Sequence, residues 1–164
     1  METRLLGQTG LRVSVLSLGT MTFGGQNRFA HMGTLGVEQA TEMVDRCLDA
    51  GVNLFDTADI YSNGIAEEVL GAAIGKRRDD VLIATKLNAR ISDDPNDLGQ
   101  SRHHIVRACE ASLRRLGTDW IDLYRSTAST SSPHSRNPSA PSTTSSAKAK
   151  SATSAPATSR PGTS

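Results

Sequence analysis

Val81-Leu82-Ile83-Ala84-Thr85-Lys86 decides the fold, read together with the earlier stretch Val52-Asn53-Leu54-Phe55-Asp56. Both are short, nearly continuous apolar runs that end on a charged residue. Runs of this kind belong to strands covered on both faces, as in a parallel sheet. Between them Ala66, Val69, Leu70, Ala73 and Ile74 recur at helical spacing, and Gly75 stops that helix. A strand, a crossover helix and a second strand form the unit of a parallel sheet.

The same unit repeats outward in both directions. Before it, Val15-Leu16-Ser17-Leu18 reads as a buried strand ended by Gly19. A polar, Gly-rich loop from Thr20 to about Gly36 leads into a helix over Val37 to Ala50, whose apolar face is Ala40, Val44, Cys47 and Leu48. After it, Ser101 is placed to cap a helix with Val106, Cys109, Leu113 and Leu116 on one face and Gly117 at its end. Trp120-Ile121-Asp122-Leu123-Tyr124 reads as a fourth strand. Leu5 to Val13, with Gly7 and Gly10 at its turn, reads as a small hairpin in front of the sheet.

This order fits an open doubly wound sheet or the first half of a (β/α)8 barrel. There is no G-x-G-x-x-G after the first strand and no G-x-x-x-x-G-K-[ST], so two nucleotide-binding readings lose their main support. Charged residues at several strand ends suit the barrel, whose active site lies at that rim. Asp56, Tyr61 and Lys86 are the candidates there. An amine beside a phenol favours release of the phenolic proton, and a carboxylate holds that amine in place and charged. Taken singly, each has a plain alternative: a turn cap, a half-buried aromatic and a surface lysine.

Other titratable residues invite less. His103 and His104 are adjacent on a helix and point apart, so they read as exposed histidines and not as a chelating pair. Glu67 and Glu68 read as first-turn acids complementing the helix dipole. Asp79-Asp80 and Asp93-Asp94 read as loop solvation, and no metal site is expected. Cys47 and Cys109 read as buried free thiols of a reducing compartment. The N-terminus lacks a leader-like apolar run and no stretch approaches a membrane span, so the expectation is a cytoplasmic protein with no membrane partner; an acidic body and sparse cations beyond it give no reason to expect a nucleic-acid partner.

Composition changes abruptly after Tyr124. From Arg125 onward, Ser, Thr, Pro and Ala supply 32 of 40 residues, and residues 126–164 contain no Val, Ile, Leu, Met, Phe, Trp, Tyr or Cys. The first 124 residues hold all 17 acids against 13 Lys and Arg, a net of −4, while the remainder carries +5. The expected organisation is therefore a folded unit over 1–124 and a disordered tail over 125–164.

Several linked motifs resemble the aldo-keto reductases. They are Leu18-Gly19-Thr20-Met21-Thr22-Phe23-Gly24-Gly25, Gly51-Val52-Asn53-Leu54-Phe55-Asp56-Thr57-Ala58-Asp59-Ile60-Tyr61-Ser62-Asn63-Gly64, Ala66-Glu67-Glu68-Val69-Leu70-Gly71 and Ala84-Thr85-Lys86. Ala108 to Tyr124 continues the likeness, which covers about residues 3–124. It is nearest the branch holding bacterial stress-type reductases and potassium-channel β subunits.

The resemblance implies a TIM-type barrel that uses a nicotinamide cofactor, NADPH, to reduce a small carbonyl substrate. Tyr61 would be the general acid, Lys86 would ease its proton loss, and Asp56 would pair with Lys86. Gly19, Thr20 and Met21 would lie near the cofactor, and Asp56 would approach its ribose. The family's Tyr-Gln-x-His is here Tyr124-Arg125-Ser126-Thr127, so Thr127 stands where the fourth catalytic residue should be.

The break falls inside a motif, which points to a change of reading frame after codon 124; a natural Ser/Thr-rich linker is the rival. A half-barrel with bare strand edges is expected to be inactive as it stands and to self-associate. Three readings follow: a reductase by descent, a non-catalytic self-pairing half-barrel, and a nucleotide sensor like the channel subunits.

Overall fold

The computed structural model describes residues 1–25 and 30–127. The expected tail beyond Thr127, with His134, lies outside the described residues.

The hairpin comes first. β1 (Thr3–Leu5) and β2 (Arg12–Ser14) pair antiparallel, with Thr3 opposite Ser14. Three elements then follow in alternation: β3 (Ser17–Gly19), α1 (Val37–Asp49) and β4 (Leu54–Asp56). The alternation continues through α2 (Ile65–Ile74), β5 (Leu82–Leu87), α3 (Arg102–Leu116) and β6 (Leu123–Ser126). The parallel sheet runs β3-β4-β5-β6, in the order of the sequence. A doubly wound sheet reverses its strand order at a switch point. This one does not reverse, and its helices pack side by side, α1 on α2 and α2 on α3. The fold is α/β and corresponds to half of a TIM barrel.

Strand alternation assigns two faces. Leu18, Phe55, Ile83 and Tyr124 join the core beneath the helices. Ala40 and Val44 of α1, Leu70 and Ile74 of α2, and Leu113 and Leu116 of α3 meet them there. α2 and α3 approach closely at Gly71, where a Cβ would lie 2.3 Å from the Leu116 carbonyl oxygen. The other face carries Leu54, Leu82, Leu123, Asp56, Lys86 and Arg125. No helix covers it among the described residues.

Asn53 fastens the hairpin to the sheet. Its side-chain carbonyl accepts from the Ser14 N–H at 2.8 Å, and its amide donates to the Arg12 carbonyl at 3.2 Å. Ser101 caps α3 as expected, its hydroxyl accepting from the His104 N–H at 3.1 Å.

Two strands differ from expectation. Val15 and Leu16 are not buried: they stand 43% and 61% exposed ahead of β3. β3 is an edge strand, and the Val15 N–H is drawn to Glu2 in the hairpin instead. The fourth strand starts later and ends later, at Ser126. Arg78 holds the preceding bend, its guanidinium 4.3 Å from the Trp120 ring centre and bonded to Asp122 at 2.7 Å. Arg125 and Ser126 pair with Lys86 and Leu87, so the ordered sheet crosses the compositional seam by two residues. A backbone ladder forms from N–H and C=O groups, whatever side chains the residues carry.

Candidate active site

β4 and β5 lie in register, Asp56 beside Ala84, and both strands end at the same rim. The chain leaving β4 stays bound to β5 for three more residues: the Thr57 N–H donates to Ala84 at 2.8 Å, and the Asp59 N–H donates to Lys86 at 3.1 Å. It then folds into a 3-10 turn, Tyr61–Gly64, that leads into α2. Ser62, Asn63 and Gly64 have φ of 49°, 56° and 95°, three consecutive left-handed residues. Non-glycine residues take that conformation at a cost of order 1–2 kcal/mol each. The buried Ser62 hydroxyl, donating to the Phe23 carbonyl at 3.1 Å, helps hold the turn. At Gly64 a Cβ would lie 2.6 Å from the Arg115 side chain.

The turn brings Tyr61 over Lys86. The ammonium of Lys86 lies 2.6 Å from the Asp56 carboxylate, 2.9 Å from the Thr57 carbonyl and 3.4 Å from the Tyr61 hydroxyl. It also sits 5.0 Å from the centre of the Tyr61 ring. The Lys86 side chain is 15% exposed and that of Asp56 26%. The three candidates therefore gather at one rim.

Arg125 joins them. Its guanidinium donates to the other oxygen of Asp56, so that carboxylate bridges two cations. Sequence reasoning assigned Arg125 to a tail; its place on the uncovered face follows from the register of β6. Thr127 points elsewhere: its hydroxyl donates to the Leu87 carbonyl at 3.1 Å.

The turn expected beside a cofactor is divided. Gly19 pairs with Asp56, and a Cβ there would meet nothing within 4 Å, so open space borders the carboxylate. Thr20 is fully buried, with its N–H and hydroxyl both directed at the Asp56 carbonyl, at 3.0 and 3.2 Å. Met21 is 40% exposed.

A second polar cluster lies under the sheet. Glu67 is a first-turn acid of α2, as expected, and it is fully buried, which its helix position alone did not disclose. It accepts from the Thr85 hydroxyl at 2.6 Å and from Arg115 at 2.7 Å, and Arg115 also reaches Ser112 at 3.2 Å. Asp59 stands nearby, 2% exposed, and its Oδ2 has no hydrogen-bond partner among the described residues. Burial, then the Glu67 carboxylate, push the Asp59 carboxyl up to about 7 against the opposing pull of Arg115, the Ile60 N–H and Lys86. The Tyr124 hydroxyl is buried without a partner among the described residues, and burial raises it well above the ordinary phenol range.

His104 is likewise buried, not exposed as expected, and neither ring nitrogen has a partner among the described residues. It shares a stripe with Ala108 and Ser112, which spacing alone could have disclosed. Burial raises both thiols, Cys47 and Cys109, which are half-buried. No group of three or more His, Cys, Asp or Glu among the described residues is placed to hold a metal. None of their helices is long and apolar enough to cross a membrane.

Comparison with known proteins bears on the same segment. The chain is 46% identical over 127 residues to a probable voltage-gated potassium channel subunit beta of Oryza sativa, covering 75% of this chain and 36% of that one. The structure superposes on an aldo-keto reductase of Bacillus halodurans in its holo form, with a TM-score of 0.64, 36% identity, and coverage of 77% of this chain and 40% of that one. It also matches an aldo-keto reductase of Klebsiella pneumoniae in complex with NADPH, with a TM-score of 0.55, 34% identity, and coverage of 69% and 34%. The chain thus spans less than half the length of these relatives. The model of the aldo/keto reductase family matches residues 15–129, and with the half-barrel, its rim and these relatives it establishes that the chain belongs to that family.

Proposed function

We propose that this chain carries the proton-delivering part of a nicotinamide-dependent carbonyl reductase site, with Tyr61 as general acid. The observation that carries the reading is the position of Lys86, within reach of the Asp56 carboxylate and the Tyr61 hydroxyl together. Asp56 anchors the ammonium, and the ammonium faces the phenol that would protonate a carbonyl oxygen. The open space beside Gly19 and Asp56 fits the reacting end of a nicotinamide cofactor, and the NADPH complex of the Klebsiella relative supports that choice. When bound, the cofactor supplies hydride; Tyr61 supplies the proton.

The chain by itself is expected to turn over little or nothing. Arg125 holds the second oxygen of Asp56, and Thr127, standing where the family pattern has its His, is turned to Leu87. We attribute the break after Tyr124 to a change of reading frame, and the nucleotide sequence around codon 125, read one base over, should restore Gln-x-His. If neither other frame does so, that attribution fails.

The site is tested by joining residues 1–124 to the C-terminal segment of the Bacillus halodurans relative and following NADPH oxidation with a panel of aldehydes. The chimera should reduce at least one aldehyde, and Tyr61→Phe should slow it by about a hundredfold or more. A folded, NADPH-binding chimera whose Tyr61→Phe form is as fast as its parent would remove Tyr61 from the role. A second reading, a nucleotide-sensing module without turnover, is favoured by the likeness to the rice channel subunit. It predicts saturable NADPH binding by the chain with no aldehyde-dependent oxidation.

A further inference from the structure

The least explained group in the molecule is the carboxyl of Asp59. It is buried, one oxygen lacks a partner among the described residues, and it lies in the segment that carries Tyr61. Its own N–H is bound to the carbonyl of Lys86, so Asp59 is where the Tyr61 turn is tied to the lysine strand.

The surroundings of that carboxyl conflict. From α2 it faces Glu67, from α3 Arg115, from β5 Lys86 and from β6 Tyr124. Arg115 is already bonded to Glu67 and Ser112. Two carboxylates thus stand near one committed arginine, and a buried charge without its own counter-ion is costly. The turn above is the element least able to resist a push. It contains three left-handed residues, and Gly64 is packed against the same Arg115. A cleft of about 190 Å³ between Asp59, the loop after β5 and α3 leads from Asp59 outward. Its rim carries Asp97, Arg107, Glu110 and Arg114, so protons can pass between the carboxyl and solvent.

We propose that Asp59 is a positioning residue that couples proton uptake beneath the sheet to the seating of Tyr61 over Lys86. With the proton on, the carboxyl is neutral beside Glu67 and the turn stays bound to β5. With the proton off, repulsion between the two carboxylates is relieved by movement of the turn, and Tyr61 leaves Lys86. The push of Asp59 to about 7 places this exchange near neutral pH. The proposal deepens the reading of Tyr61 as a proton donor and rests on it for its meaning, but its test needs no turnover.

Amide hydrogen exchange on the full chain, expressed as protection factors, reads the turn directly. Between about pH 5.5 and 8.5, protection at the Asp59 and Tyr61 amides should fall by about tenfold or more relative to the amides of α1. A merely structural carboxyl would weaken the whole fold, so turn and helix would fall in parallel; that result overturns the proposal, as would no fall at all. Asp59→Asn should abolish the relative fall, with Asp59→Ala as the second neutral variant if the first does not fold. A relative fall that persists in either folded variant assigns the effect to another group and also overturns the proposal. Aldehyde reduction enters nowhere in this readout, so loss of the reductase reading and loss of this one are told apart.

Discussion

A carboxyl that keeps its proton to about 7 in the folded chain, and releases it near 3.8 when unfolded, ties stability to pH. Below about pH 4 both states hold the proton and Asp59 contributes nothing. Between about 4 and 7 the unfolded chain releases it and the folded chain does not, so stability falls as pH rises. Above about 7 the penalty is complete, ~4 kcal/mol at 1.36 kcal/mol per unit while the turn stays seated, and less by whatever its movement relieves. Urea melts of the parent and Asp59→Asn at about pH 4 and pH 8 should therefore show the variant gaining on the parent by a few kcal/mol as pH rises; equal slopes would deny Asp59 this role. Its neighbours at the rim were open to sequence reading because strand ends are marked by composition: Leu54-Phe55-Asp56 and Leu82-Ile83-Ala84-Thr85-Lys86 each run through apolar residues to a charge. Asp59 has no such mark. Its N–H is tied to the Lys86 carbonyl just before a turn in which Ser62 and Asn63 take left-handed backbone that their residue types do not announce.

Helix positions were legible from spacing, since Ala40, Val44, Leu70, Leu113 and Leu116 fall in the core as their periodicity required. Which polar residues join them was not. Glu67 lies on the buried side with Leu70 and Ile74 at three and seven residues' spacing, but its partner Arg115 comes from another helix 48 residues on. Burying the pair makes its two halves interdependent. Arg115→Met strands a fully buried carboxylate and should cost ~3–5 kcal/mol, whereas Arg115→Met with Glu67→Gln should cost clearly less, because the charge goes with its counter-ion. Denaturant melts of the two variants and the parent check the order; a double variant weaker than the single one would contradict it.

At the scale of the molecule, the four-stranded sheet ends in β3 on one side and β6 on the other, and neither outer edge is paired among the described residues. Exposed strand edges recruit other strands, and Leu54 and Leu82 are only half-buried on the face that carries the charges. The full chain is therefore expected to self-associate: sedimentation equilibrium at two loadings about tenfold apart should give a larger average mass at the higher loading, and a concentration-independent monomer would count against it. The half-barrel architecture was readable in advance because each strand-helix unit repeats the last. The extent of β6 was not, because two residues of tail-like composition continue its ladder. The sequential strand order has a further consequence, for birth on the ribosome. Every parallel pairing joins a strand to the one made just before it, so each new unit emerging from the exit tunnel finds its docking partner already formed, and nothing need wait for a distant segment to be translated.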